Sequence, residues 1–207
     1  MNRIFAALLL VSVFSGCATL GGGGPVPGPE FAQKVQLMVS DDYQMHQAPR
    51  SSYDAGDLQN FHSQHTFPIQ VQDTFKSIFS QIEIVKNEPG IEGGEPEVPA
   101  IFEVHMVDLA NDIYNEADTY RAQATVAAAM KSPSGEIFWQ QAFRGDGWVN
   151  VDPQFSTGLG PQDAVVAAVN DALDQMRTAI ITSPQVQNQL KYYNAIRAAR
   201  GETEKKI

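Results

Sequence analysis

Four histidines, one cysteine and several acidic pairs are the residues of this 207-residue chain whose types could support chemistry. His62-Ser63-Gln64-His65, with Asp54 and Asp57 just upstream, has the close spacing of a loop metal site. With no helix to align the two rings and no further ligand cluster, the simpler reading is a solvated loop. His105 sits mid-strand beside Glu103, where a satisfied or exposed histidine needs no ligand, and His46 has no partner in the pattern. No G-x-S-x-G or S-x-x-K nucleophile motif occurs. Gly158-Leu-Gly-Pro-Gln-Asp163 places two glycines before a helix start but lacks the third glycine and the lysine of a phosphate cradle. The acidic pairs Asp41/Asp42, Asp108/Asp112 and Asp171/Asp174 lack what a catalytic pair needs, an apolar setting around one member that splits the two pKa values. They read as acidic surface. No catalytic residue, metal or cofactor is expected.

The one chemically committed residue is Cys17, and its setting is the N-terminus. Asn2 and Arg3 precede an apolar run from Ile4 to Phe14 that only Ser12 interrupts. Those residues span about 16 Å as a helix, at ~1.5 Å per residue, roughly half of a ~30 Å bilayer core. The run is too short to anchor and has the form of a secretory signal. Phe14-Ser15-Gly16-Cys17 then resembles the bacterial lipobox, with phenylalanine where leucine is usual. By that resemblance residues 1–16 are removed and Cys17 becomes the acylated first residue. Ala18 rather than aspartate follows it, which by similarity to enterobacterial sorting favours the outer membrane. A lone cysteine cannot pair within its own chain, and thioether lipidation consumes the thiol. More than one acyl chain gives stable anchoring. Gly21–Pro29 (GGGGPVPGP) follows as a flexible, partly extended tether, and residues 17–30 form the anchor segment. Its nine residues reach at most about 30 Å.

Without residues 1–16 the formal charge is −11, unevenly spread. Residues 184–207 carry five Lys/Arg against two Glu, net +3, while residues 17–183 carry eight basic and 22 acidic groups, net −14. An acidic body repels phosphate backbones, which argues against nucleic acid as a partner.

Residues 31–184 are long enough for one domain with one core. Val35, Leu37 and Val39 alternate as a first strand, and residues 46–67 read as a long polar loop. From Pro68, the residues Val71, Phe75, Ile78, Phe79 and Ile82 fall at helical spacing. Short IEIVK follows as a strand, then an acidic Gly/Pro excursion, then strands AIFEVHMVDL and TYRAQATVAAAMK. The second of these alternates Tyr120, Ala122, Ala124, Val126, Ala128 and Met130 against Arg121, Gln123, Thr125 and Lys131. The turn SPSG joins it to EIFWQQAFRGDG, a hairpin over Tyr120–Arg144 whose alanine face predicts a closely packed helix. Val165, Val169, Ala172, Leu173, Met176 and Ile180 form the stripe of a last helix from Pro161, ended by Ser183-Pro184. The main elements run β-α-β-β-β-α. The expected fold is α+β: two layers, a mostly antiparallel sheet, and two main helices packed on one face.

Two features point to binding. Phe138 lies on the opposite hairpin face from Ile137 and Trp139, and Trp148 and Phe155 sit in the loop after the hairpin. Aromatic residues of this kind often anchor interfaces. The charged tail 185–207 lines Val186, Leu190, Tyr193 and Arg197 along one side of a helix outside the domain, able to dock on a partner or on the body's own acidic surface. Phe138, Trp148, Phe155, Leu190 and Tyr193 are the candidate partner-binding residues.

The order of a lipobox, a strand, the helix PIQVQDTFKSIF, the strand AIFEVHMVDLANDI, the hairpin TYRAQATVAAAMKSPSGEIFWQQAFRGDG and the helix AVVAAVNDALDQMRTAIITSPQV resembles the YajG-type family of small periplasmic lipoproteins. More distantly it is similar to the lipopolysaccharide-assembly lipoprotein LptE and to auxiliary lipoproteins of ABC-type lipid transport. The likeness covers roughly residues 31–190; the insertion Glu88–Pro99, the loop Asn150–Pro161 and the tail depart from it. It implies a non-enzymatic accessory subunit, fixed to the membrane by its N-terminal lipid, with an envelope protein as partner. Two alternatives are a periplasmic carrier of a lipid or small ligand and a hydrolase acting on the cell wall.

Overall fold

A computed structural model describes residues 29–40, 66–86, 100–114, 119–132, 135–150 and 161–199. Strand β1 (Phe31–Ser40) is followed by helix α1 (Thr66–Ile78) and strand β2 (Phe79–Ile84). Three longer strands come next, β3 (Ile101–Tyr114), β4 (Thr119–Lys131) and β5 (Ile137–Asn150). Helices α2 (Pro161–Thr182) and α3 (Pro184–Ala199) close the described chain. The strands form one sheet in the order β2-β1-β3-β4-β5.

The expected α+β class holds; the sheet is mixed, and its two longest ladders are antiparallel. β1 pairs in parallel with β2 and β3, whereas β3, β4 and β5 form an antiparallel meander. The cause is connectivity. Parallel strands require a crossover, and α1 supplies it between β1 and β2. The chain leaves α1 at Ile78 with no turn residue between, so Phe79 and Ile82 belong to β2 rather than to the helical stripe. Phe79 meets Phe31 at 5.5 Å, Phe75 at 5.9 Å and Phe102 at 5.3 Å between ring centroids. That aromatic cluster seals the helix-to-strand corner. The 46–67 loop expectation also ends early, because α1 starts at Thr66 and Phe67 is buried.

The helices share one face of the sheet. The inward residues of β4 (Ala122, Ala124, Val126, Ala128, Met130) and the stripe Val165, Val169, Ala172, Leu173, Met176 and Ile180 of α2 all lie in a single buried cluster. On the other face, Met38 and Ile101 are buried apart from that cluster.

One contact sets the spacing of the two layers. A Cβ on Gly145 would lie 2.0 Å from the Ala168 carbonyl oxygen and 2.4 Å from the Ala172 nitrogen. On Gly147 it would lie 2.0 Å from the Ala164 carbonyl oxygen and 2.3 Å from the Ala168 nitrogen. The α2 backbone therefore rests directly on the β5 backbone. The match repeats because two strand residues advance about 6.6 Å and four helix residues about 6 Å. Gly145-x-Gly147 thus stays in step with Ala164, Ala168 and Ala172. The strand does not stop at Arg144, where the expected hairpin ended; β5 continues to Asn150 and carries Trp148 within it rather than in a loop after it.

β5 is an edge strand, and α2 answers its free backbone groups. The Asp146 N–H donates to Asp171 Oδ2 at 3.0 Å, and Gln175 Nε2 donates to the Arg144 carbonyl at 2.9 Å. Asp171 and Gln175 are four apart on the helix, also joined at 3.2 Å. An edge that donates and accepts into its own helix is a poor template for another strand.

The residues from 185 onward do not begin a separate tail. Ser183 accepts the Val186 N–H at its Oγ (3.4 Å), and Pro184 occupies the first turn of α3. Val186 and Leu190 are buried in the common core. Burying two such side chains contributes about 3–6 kcal/mol, a large part of the ~5–15 kcal/mol of a whole domain. The domain therefore includes α3, and the boundary drawn at 184 shifts beyond it.

Replacing Gly145 or Gly147 by alanine must push α2 away from β5, since the opposing atoms are backbone. Each substitution is expected to cost about 3 kcal/mol and to lower Tm by about 6–12 °C. Thermal unfolding followed by circular dichroism checks this, with Gly135→Ala as a comparison for a glycine that needs φ +86° but has open space around it.

Candidate functional site

Because Phe143, Gly145 and Gly147 face the helices, the alternation of β5 turns Arg144, Asp146 and Trp148 to the opposite face. Their β4 neighbours in register are Thr125, Gln123 and Arg121. The result is a hydrogen-bonded ladder across two strands. Gln123 Nε2 donates to Asp146 Oδ1 at 2.8 Å, and Arg144 Nη2 donates to Gln123 Oε1. Thr119 Oγ1 donates to Asn150 Oδ1 at 2.9 Å. Trp148 stands in this row opposite Arg121 and is 64% exposed. Its polar neighbours are held by one another, so the indole is presented on a surface already ordered. Ordering that is complete before binding lowers the entropy lost on association.

The other partner-binding candidates do not gather around Trp148. Phe138 is half-buried at the start of β5, beside the register shift between Met130 and Lys131. Ten strand residues, about 33 Å, separate it from Trp148. Leu190 is 1% exposed and belongs to the core, which removes it from any surface. Tyr193 is half-buried on α3. Burial pushes its phenol above the ordinary tyrosine range; the charges of Tyr192 and Glu136 push the same way, and a hydrogen bond with Gln189 opposes them. Phe155 and Cys17 lie outside the described residues, as do His46, His62, His65, Asp54 and Asp57.

Of the remaining chemical candidates, Glu103 and Asp171 have structural partners. Glu103 pairs with Lys131 at 2.6 Å across the sheet. His105 is half-buried in register with Ala127. Asp171 is exposed, as expected, and also accepts the Asp146 N–H at the β5 edge. Among the described residues no three His, Cys, Asp or Glu side chains come together as a metal site, and no helix is long and apolar enough to cross a membrane.

A second locus is absent from the sequence-based expectations. Arg177, near the end of α2, donates from Nε to Ser77 Oγ at 3.1 Å and pairs through Nη2 with Glu30 Oε1 at 3.5 Å. One guanidinium thus joins both helices that run down the sheet to the residue immediately after the Gly/Pro tether. The pairing was not legible locally, since Glu30 and Arg177 are separated by 147 positions.

No protein-family model matches this chain, and no curated protein matches it. Solved structures with a similar course include a Helicobacter pylori protein described as a neuraminyllactose-binding hemagglutinin homolog. It is 8% identical over 85% of this chain and 97% of its own, with a TM-score of 0.49. A minor lipoprotein from Acinetobacter baumannii is 8% identical over 72% and 90%, TM-score 0.39. The rare lipoprotein B from Shewanella oneidensis is 10% identical over 82% and 98%, TM-score 0.30.

The raised pKa of Tyr193 has a definite consequence at high pH. The native state keeps the phenolic proton after the unfolded chain has begun to lose it, so stability declines as pH rises from about 10 through the native value. Tyr193→Phe retains the ring and removes the titration. Its Tm is expected to fall less steeply than that of the parent between pH 9 and 11, as measured by thermal melts at matched ionic strength.

Proposed function

We propose that this chain is a non-enzymatic lipoprotein, held by acyl chains on Cys17 to the periplasmic face of the outer membrane and serving as an accessory subunit of an envelope assembly or transport machine. The YajG-type small lipoproteins are the finer reading of its kind. The observation that carries the proposal is Trp148. It is 64% exposed on a fixed polar ladder, while the opposite face of the same strand is given over to α2. A large aromatic ring in water at an ordered site is the usual anchor of a protein interface. The sequence around Cys17 supplies the tethering half of the proposal. The carrier alternative loses ground at the seam of β5 and α2, where backbone touches backbone and leaves no room for a lipid between helix and sheet.

Two measurements test the two halves. Metabolic palmitate labels the parent chain and not Cys17→Ser; equal labelling removes the anchor. A photo-crosslinking phenylalanine derivative at position 148, in intact envelopes, captures one dominant envelope protein. The same probe at Gln140, exposed on the same face about 26 Å down the strand, does not. No adduct at 148, or the same adduct at both positions, overturns the docking role of Trp148.

A further inference from the structure

The start of β1, the start of β5 and the end of α2 all lie at one end of the sheet, because β1 and β5 run the same way and α2 returns against them. Arg177 pairs with Glu30 at this end, so the described chain begins there. Twelve residues, Ala18–Pro29, separate Cys17 from that point. Fully extended they reach at most about 40 Å. A lipid on Cys17 therefore keeps this end of the domain close to the bilayer.

Two apolar side chains are exposed at the same end. Ile137 opens β5 at 50% exposure, and Tyr192 on α3 is 60% exposed. Helix α3 packs against β5, and Tyr193 next to Tyr192 lies near Glu136, just before the β5 start. Lys191 is exposed beside Tyr192, and the segment from 184 onward carries net +3 while the body carries net −14. A phenol ring with a wet hydroxyl and a lysine whose stem can lie on apolar surface both suit the headgroup region. The basic segment suits anionic lipid, which the acidic body would otherwise avoid.

Resting on the lipid anchor of the proposed function, we propose that this end of the domain is a second membrane contact, in which Tyr192, Lys191 and Ile137 lie in the headgroup layer of the bilayer that holds Cys17. The contact need not be strong alone. A tether this short raises the local concentration of the surface to the millimolar range, so a weak interfacial site is occupied whenever the anchor is in place. The domain is then oriented, with Trp148 at the end of β5 far from the membrane.

The test uses the full lipidated chain in vesicles of phosphatidylethanolamine and phosphatidylglycerol. Cys17 is the only cysteine, so Tyr192→Cys and Trp148→Cys each supply a single free thiol for an environment-sensitive fluorophore. The label at 192 is expected to emit at shorter wavelength and to be quenched by aqueous iodide about threefold less than the label at 148, as befits a group some 5–10 Å into the interface. Equal quenching at both positions, with the protein floating on the vesicles, overturns the second contact and leaves the anchor intact. Protein that fails to float and takes label at Cys17 as well overturns the anchor itself. Greater protection at 148 than at 192 reverses the orientation and overturns the inference.

Discussion

The backbone contact between α2 and β5 is the constraint from which most of this structure follows. Helices usually sit on sheets at the distance their side chains allow, and here that distance is set by the absence of side chains. Gly145 and Gly147 present bare backbone to Ala164, Ala168 and Ala172, and any added carbon meets a carbonyl or an amide within 2.4 Å. Close packing gains many small dispersion contacts at once. It also brings the polar flank of α2 within hydrogen-bonding reach of the strand edge, which lets Asp171 and Gln175 bond to the main chain of Asp146 and Arg144. A helix carrying leucines in place of those alanines would stand too far off to close that edge.

The same contact decides what the outer face can be. With the inward positions of β5 reserved for glycine and phenylalanine, binding side chains are restricted to the alternate positions, and Arg144, Asp146 and Trp148 occupy them. The β4 residues opposite them carry the polar partners, since their own inward neighbours are the alanines and valine of the core. Core and candidate interface are thus two phases of one period-two pattern. A shift of one residue would exchange them and destroy both.

How much of this was legible in the sequence follows from the range of each interaction. The α2 stripe from Val165 to Ile180 is a local 3.6-residue pattern and is buried as expected, as is the alternation of β4. The alanine face announced a close helix. The parallel pairing of β1 with β3 was not legible, because it depends on where a distant strand lands rather than on either strand's own residues. Ile78-Phe79 carries no turn signal, so the helix spacing continued on paper into β2. Gly145 and Gly147 fall just beyond the hairpin expected over Tyr120–Arg144, because glycine after a strand and glycine under a helix look alike until the helix is in place. Their spacing of two, matched to alanines spaced by four, was the available signal. Leu190 misled for a related reason: an apolar residue after a Ser-Pro break looks unpartnered until α3 is seen to fold back onto the core.

Polarity of the domain is the last consequence. Eleven strand steps separate Ile137 from Trp148, about 36 Å, which is close to the full reach of the twelve-residue tether. Under the proposed anchor at Cys17, and with Glu30 paired to Arg177, Trp148 would approach the bilayer only if the body tipped over and residues 18–29 were drawn out to nearly their full length. Upright, the part of α3 that carries Lys191 and Tyr192 would be nearest the lipid. The acidic remainder, net −14, is repelled from an anionic surface and gains by standing off from it. Tether length and electrostatics therefore favour the same proposed orientation, and the contacts of Arg177 with Glu30 and Ser77 would pass it from residues 18–29 to the folded body.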